Sequence, residues 1–171
     1  MGFKEIDIKS LEINPFVLLN DEWGLLSAGN ETAYNTMTIS WGSFGVMWNK
    51  PVVSVVIRPQ RYTKEFVDKL DLFTVSFFPG SYKKALQLLG TKSGSECDKI
   101  TESGLTPFFI DGSVAFDEAN MIFICKKLHG GQQLDASKFV DLNIDSTMYP
   151  DKDYHYYYTG EAIKLLMKDN V

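Results

Sequence analysis

Long apolar runs are missing from this 171-residue chain: no stretch is sufficient to span a bilayer, which disfavours a helical membrane protein. The opening residues Met1-Gly2-Phe3-Lys4-Glu5-Ile6-Asp7 alternate charge with apolar side chains and lack the continuous run of a signal peptide. Gly2 opens no myristoylation signal, because Ile6 stands where Ser or Thr is required. A cytoplasmic protein is expected. Cysteine is scarce as well, and Cys97 and Cys125 have neither CxxC spacing nor a neighbouring His. Zinc and dithiol redox chemistry are therefore poor readings, no metal is expected, and both residues are expected as ordinary thiols. A basic excess is also lacking: 17 Lys and Arg against 22 Asp and Glu leave a net charge of −5, so no nucleic acid partner is expected. Low-complexity tracts, linkers and solenoid repeats are absent, so residues 1–171 are expected to form one domain.

What the chain has is apolar material in short pieces. Hydrophobic residues make up 44% and aromatics 13%, enough to fill one core. Phe16–Leu19, Gly24–Ala28, Thr36–Trp41, Val52–Ile57, Phe73–Phe78, Val114–Cys125 and Tyr154–Met167 are rich in Val, Ile, Phe and Tyr and predict strands. Their connections are mostly too short for crossover helices, so the expected class is mainly β, an antiparallel barrel or sandwich with a few short helices. One helix is predicted from Ser81, as cap, to Leu89, with Gly90 as a left-handed exit. A second begins near Thr63 and includes Lys64–Lys69, and a third spans Asp98–Ser103 and ends at Gly104.

Chemistry concentrates in three places. Asn35-Thr36-Met37-Thr38-Ile39-Ser40-Trp41-Gly42-Ser43-Phe44-Gly45 crowds hydroxyl and amide groups into a predicted strand, a pattern that the solvent face of a barrel also produces. Arg58-Pro59-Gln60-Arg61-Tyr62-Thr63 sets two guanidinium groups just ahead of a helix start. Free N–H groups and bidentate donors there suit an anion, although both arginines could equally pair with surface carboxylates. The loop Thr91-Lys92-Ser93-Gly94-Ser95-Glu96-Cys97-Asp98-Lys99 offers donors on a flexible turn. His129-Gly130-Gly131 reads as a turn without chemistry.

Taken in order, Asn35-Thr36-Met37-Thr38, Ser40-Trp41-Gly42, Trp48-Asn49-Lys50-Pro51, Arg58-Pro59-Gln60-Arg61-Tyr62-Thr63 and Phe73–Phe78 closely resemble the flavin reductase-like, flavoredoxin-type family of FMN-binding split barrels. The likeness continues through Gly90-Thr91-Lys92-Ser93-Gly94, Asp98-Lys99 and Glu102-Ser103-Gly104-Leu105-Thr106-Pro107, with a weaker echo at His155 and Tyr158-Thr159-Gly160-Glu161. It implies a Greek-key split barrel that forms a homodimer with FMN at the interface. It further implies that Asn35, Thr36, Met37, Thr38 and Ser40 run beside the isoalloxazine ring. Arg58, Gln60, Arg61, Tyr62 and Thr63 would face the phosphate, and Ser93, Asp98 and Lys99 would belong to the loop closing over the cofactor. Ser95 departs from the family, replacing a cation, and Tyr154 precedes His155 where relatives often carry Asp. His155 is the catalytic candidate, with packing among aromatics as the alternative.

A flavin accepts hydride and stores electrons by itself, so neither a nucleophile nor an acid–base pair is required of the chain. The resemblance thus implies an NAD(P)H-dependent flavin reductase passing electrons to a flavin, a redox-partner protein or a small acceptor. A flavoredoxin-like electron carrier without nicotinamide oxidation is the alternative, and a split barrel binding haem or another ligand is a third.

Overall fold

The computed structural model describes residues 2–169. The described residues form ten strands and five short helices. β1 (Phe3–Ile6) is followed by the single turn α1 (Pro15–Val17), the wide helical turn Leu18–Glu22, and the strands β2 (Gly24–Gly29), β3 (Tyr34–Ile39), β4 (Gly42–Met47) and β5 (Lys50–Ile57). α2 (Thr63–Lys69), β6 (Leu72–Phe77), α3 (Lys83–Thr91) and α4 (Lys99–Ser103) follow. The remainder is the hairpin β7 (Pro107–Ile110) and β8 (Ser113–Phe116), the long β9 (Met121–Gln133), α5 (Leu142–Met148) and the long β10 (Tyr156–Lys168).

Eight strands form one antiparallel sheet, seven of them in the order β3-β2-β6-β9-β10-β5-β4 and β1 beside β10 off this path. β10 serves two neighbours on one edge, pairing through Tyr156–Glu161 with β5 and through Leu165–Lys168 with β1. Its other edge follows β9 throughout, with register shifts at Tyr157/Tyr158, Thr159/Gly160 and Ala162/Lys164. Such irregularities bend a strand and increase its twist, which is how two 13-residue strands wrap around one core. The sheet does not close: β3 and β4 are its open edges.

Why the central strands read as continuous apolar runs is visible in β9. Phe123 and Cys125 point into the barrel beside Phe73, Val75, Phe77 and Tyr158. Ile122 and Ile124 point outward and are covered by Leu86 and Leu89 of α3 and by Phe116 of β8. Both faces are dry, so alternation is lost, and each such buried side chain contributes about 1.5–3 kcal/mol.

Turn chemistry agrees with this frame. Asp111 and Gly112, both at positive φ (50° and 76°), make the two-residue turn of the β7–β8 hairpin. Trp48 and Asn49 do the same between β4 and β5 (52° and 60°), a costly conformation for a bulky Trp.

The expected α2 and α4 are present, α4 ending at Gly104 with φ 72°. Four expectations fail for local reasons. Phe16–Leu19 is helical rather than extended, because the Asn14 side chain accepts from the amides of Phe16 and Val17 and Pro15 presets the first turn. α3 starts at Lys83 without a side-chain cap, and Gly90 lies inside it, where Thr38 leaves little room for a Cβ. Val114–Cys125 divides at Asp117–Asn120, where Ala119 N–H donates back to Phe116. His129 is a strand residue opposite Thr159, not a turn.

Candidate functional site

A concavity of about 340 Å³ opens at the end of β3, beside the crossing to β4 and the end of β5. The chain crossing from β3 to β4 supplies Met37, Thr38, Ile39, Ser40 and Trp41. The end of β5 and the turn after it supply Val56, Arg58, Gln60 and Arg61, and the lead into β10 supplies His155. Because β3 is paired on one side only, its backbone can serve a ligand as it would another strand.

The two arginines differ in what they hold. Arg58 forms a salt bridge with Asp153, donates to the Met148 carbonyl at 2.9 Å and lies 5.1 Å over the Tyr149 ring. Gln60 donates to the same carboxylate at 2.8 Å. These bonds, the one from Gln60 foremost and then that from Arg58, hold the Asp153 carboxyl below its usual range. For Arg58 the surface-carboxylate alternative is therefore what the structure shows. The Arg61 guanidinium has no hydrogen-bond or ion-pair partner among the described residues. Partial burial pushes its pKa down, and it faces the concavity just before α2, whose N-terminus has no side-chain cap. A half-buried cation without a counter-ion favours an anion from solution.

His155 is buried between the Trp41 ring, 5.1 Å away, and the Tyr149 ring. Burial first, and then the positive charge of Arg58, lower its pKa to about 4. The imidazole is neutral near pH 7.

The other predicted residues lie outside this concavity. Thr36 is buried, its hydroxyl bonded to Ser27 at 2.8 Å and to the Leu26 carbonyl. Tyr62 packs edge-on against Phe66. Asn35 donates to the Thr63 hydroxyl at 3.0 Å and, with Asp98 and Lys99, lines a second hollow under the loop that carries Cys97. Asp98 caps α4 through Thr101 N–H, and Ser93 bonds Ser95. Lys99 donates at 3.0 Å to the carbonyls of Leu89 and Lys92, satisfying the C-terminal end of α3. Burial, then repulsion from Arg61, lower its pKa to about 8. Sequence reasoning missed Tyr149 and Asp153. Their signal is the run Tyr149-Pro150-Asp151-Lys152-Asp153 just ahead of His155, where a turn folds back on the histidine.

A cationic, aromatic-walled cleft on an unclosed antiparallel sheet suits a planar anionic cofactor. The chain belongs to the flavin reductase like domain family, whose model matches residues 22–163. No curated protein matches it. Among solved structures it is similar to an FMN-binding domain of a flavin reductase-like enzyme from Shewanella baltica OS155, at 16% identity and TM-score 0.70, over 98% of this chain and 78% of that one. It is also similar to flavoredoxin from Methanosarcina acetivorans, at 21% identity and TM-score 0.66, over 94% and 76%. A third neighbour is an NADH:FAD oxidoreductase from Streptomyces globisporus C-1027, seen with NAD and FAD fragments, at 15% identity and TM-score 0.62, over 85% and 74%. At these identities the neighbours establish a shared fold, the split barrel.

Proposed function

We propose that this chain binds FMN in the concavity at the β3–β4 opening and works as an oxidoreductase, taking electrons from NADH or NADPH and passing them to a flavin, a protein or a small acceptor. The observation that carries this reading is Arg61, a half-buried guanidinium unpaired among the described residues, lining the concavity of a flavin reductase-like domain. FMN, when bound, supplies the two-electron chemistry. Arg61 and the backbone entering α2 bind the phosphate. Ser40 and the free edge of β3 orient the polar rim of the ring, while Trp41 and His155 wall the cleft against water. Asn35 and Thr63, bonded to each other, brace the start of α2, and Ser93, Asp98 and Lys99 hold the adjoining loop in place.

A second copy of the chain completes the cleft. β4 is exposed along nearly all its length, with Val46 78% exposed, Trp48 in the turn after it 56% and Phe16 on α1 nearby 83%. An open, apolar strand edge is a template for pairing, and the homodimer covers it. Sedimentation equilibrium checks this: a monomer at micromolar concentration removes the shared site.

The direct test is the visible spectrum of the purified protein, an FMN titration, and anaerobic mixing with NADH or NADPH. Flavin uptake and bleaching are expected, and Arg61→Ala weakens FMN binding by about 1.5–3 kcal/mol, the range for a hydrogen bond to a charged group. Colourless protein that ignores added FMN overturns the reading. Uptake without bleaching by either nucleotide rejects the nicotinamide half and leaves an electron carrier reduced by a partner protein.

A further inference from the structure

The turn ahead of β10 contains a buried pair that flavin binding by itself does not call for. The Tyr149 hydroxyl lies 2.8 Å from Nδ1 of His155, with Tyr149 3% and His155 8% exposed. We propose that Tyr149 is a positioning residue whose O–H donates to Nδ1 of His155, so that the imidazole carries its proton on Nε2 and presents that N–H to a carbonyl oxygen of the planar ligand.

The assignment follows from counting donors. A neutral imidazole has one donor and one acceptor, and a phenol has one O–H to place. Tyr149 Oη has no other partner among the described residues. If Nδ1 held the proton, the buried Tyr149 O–H would have no acceptor, a cost of about 1–3 kcal/mol. With the proton on Nε2 both groups are satisfied, and His155 lines the concavity where a ligand can use the remaining donor. Both partners stay neutral: the charged groups facing the pair are Arg58 and Asp153, which engage each other, and burial raises the Tyr149 phenol further above its usual range.

Tyr149 itself is held on several sides. Pro150 disfavours helical backbone at Tyr149, and α5 stops at Met148. Arg58 grips the Met148 carbonyl and covers the Tyr149 ring, and the rings of Phe139 and Tyr154 lie 5.8 and 5.0 Å from it. The His155 ring meets Tyr149 edge-on at 79° and has Trp41 as its other aromatic neighbour, so the imidazole is confined by packing.

The ligand's identity rests on the FMN reading, but the tautomer does not. Ring 15N correlation spectra of the ligand-free protein at neutral pH, with the second histidine identified through His129→Gln, report the proton position directly. The expected result is Nε2–H at His155. Tyr149→Phe keeps the buried ring and is expected to shift the tautomer ratio about tenfold toward Nδ1–H, with FMN binding weakened several-fold. A proton on Nδ1 in the unaltered protein overturns the assignment, as does a tautomer ratio that Tyr149→Phe leaves unchanged. Failure of FMN to bind at all overturns the flavin reading, while the spectra without ligand still decide the pairing.

Discussion

Along β6 from Phe73 and along the first half of β9, Met121–Cys125, every side chain is buried, whereas the concavity at the end of β3 leaves the Arg61 guanidinium half-buried and the Trp41 indole exposed. On the enclosed side, Phe73, Phe77, Phe123 and Tyr158 fill the barrel, and Ser76 Oγ is the single buried side-chain polar atom without a partner among the described residues. At the opening, the Arg61 guanidinium has no partner among the described residues, and in the hollow beside it burial first, and then repulsion from Arg61, lower the proton affinity of Lys99. The first region maximises burial and bonding, and the second retains electrostatic stress that a bound anion would relieve. Stability and binding are thus expected to respond to different mutations.

The largest effect expected is from Phe123→Ala, which opens a void among Phe44, Phe77 and the β9–β10 core and should lower unfolding free energy by about 3–5 kcal/mol in a denaturant titration. A loss below about 1 kcal/mol would mean that the enclosed side is not where stability resides. Next comes Gly160→Ala. A Cβ there meets Phe73 Cζ at 2.6 Å and Cys125 Cβ at 2.9 Å, so overpacking should cost about 1–3 kcal/mol.

Arg61→Ala is the contrasting case: no bond is lost, and stability should stay within about 0.5 kcal/mol of the parent or rise. The same change should raise the Lys99 pKa from about 8, because a repelling charge is removed, and NMR of the Lys99 ammonium group reads it. A strong destabilisation by Arg61→Ala would dissolve the distinction between the two regions.

A further effect is pH-dependent. His155 titrates near 6.5 when unfolded and at about 4 when folded, so between those values the unfolded chain holds more proton. Its contribution is fully present above about pH 6.5 and is lost as pH falls toward 4. The stability difference between the parent and His155→Gln should therefore grow as pH rises through that window, as thermal melts on either side of it would show. A constant difference would place His155 in contact with bulk water.

Legibility follows the range of the interaction. α4 was readable at both ends because Asp98 caps it and Gly104 exits it, and α2 because its residues and boundary signals are contiguous. The central strands were readable as apolar runs because both their faces are covered. The helical turn after Asn14 was not, since four apolar residues in a row look alike in either conformation and the capping side chain decides. His129 with two glycines resembles a turn, yet β9 continues through it against β10. Among the site residues, Met37, Thr38, Ser40, Arg58, Gln60, Arg61 and His155 line one concavity, while Asn35, Asp98 and Lys99 line a neighbouring hollow.

Taken alone, the residue order dictated the β-rich class, the short helices with local caps, and which segments carry polar chemistry, because these depend on neighbours within a turn or on strand periodicity. It could not dictate which arginine is free. Arg58 meets Asp153 across 95 positions, and Tyr158 meets Asp68 across 90, partnerships that exist only once β5 and β10 have paired. Folding pairs one guanidinium with a carboxylate and leaves its neighbour unpaired among the described residues, and that difference in long-range pairing is what the proposed site rests on.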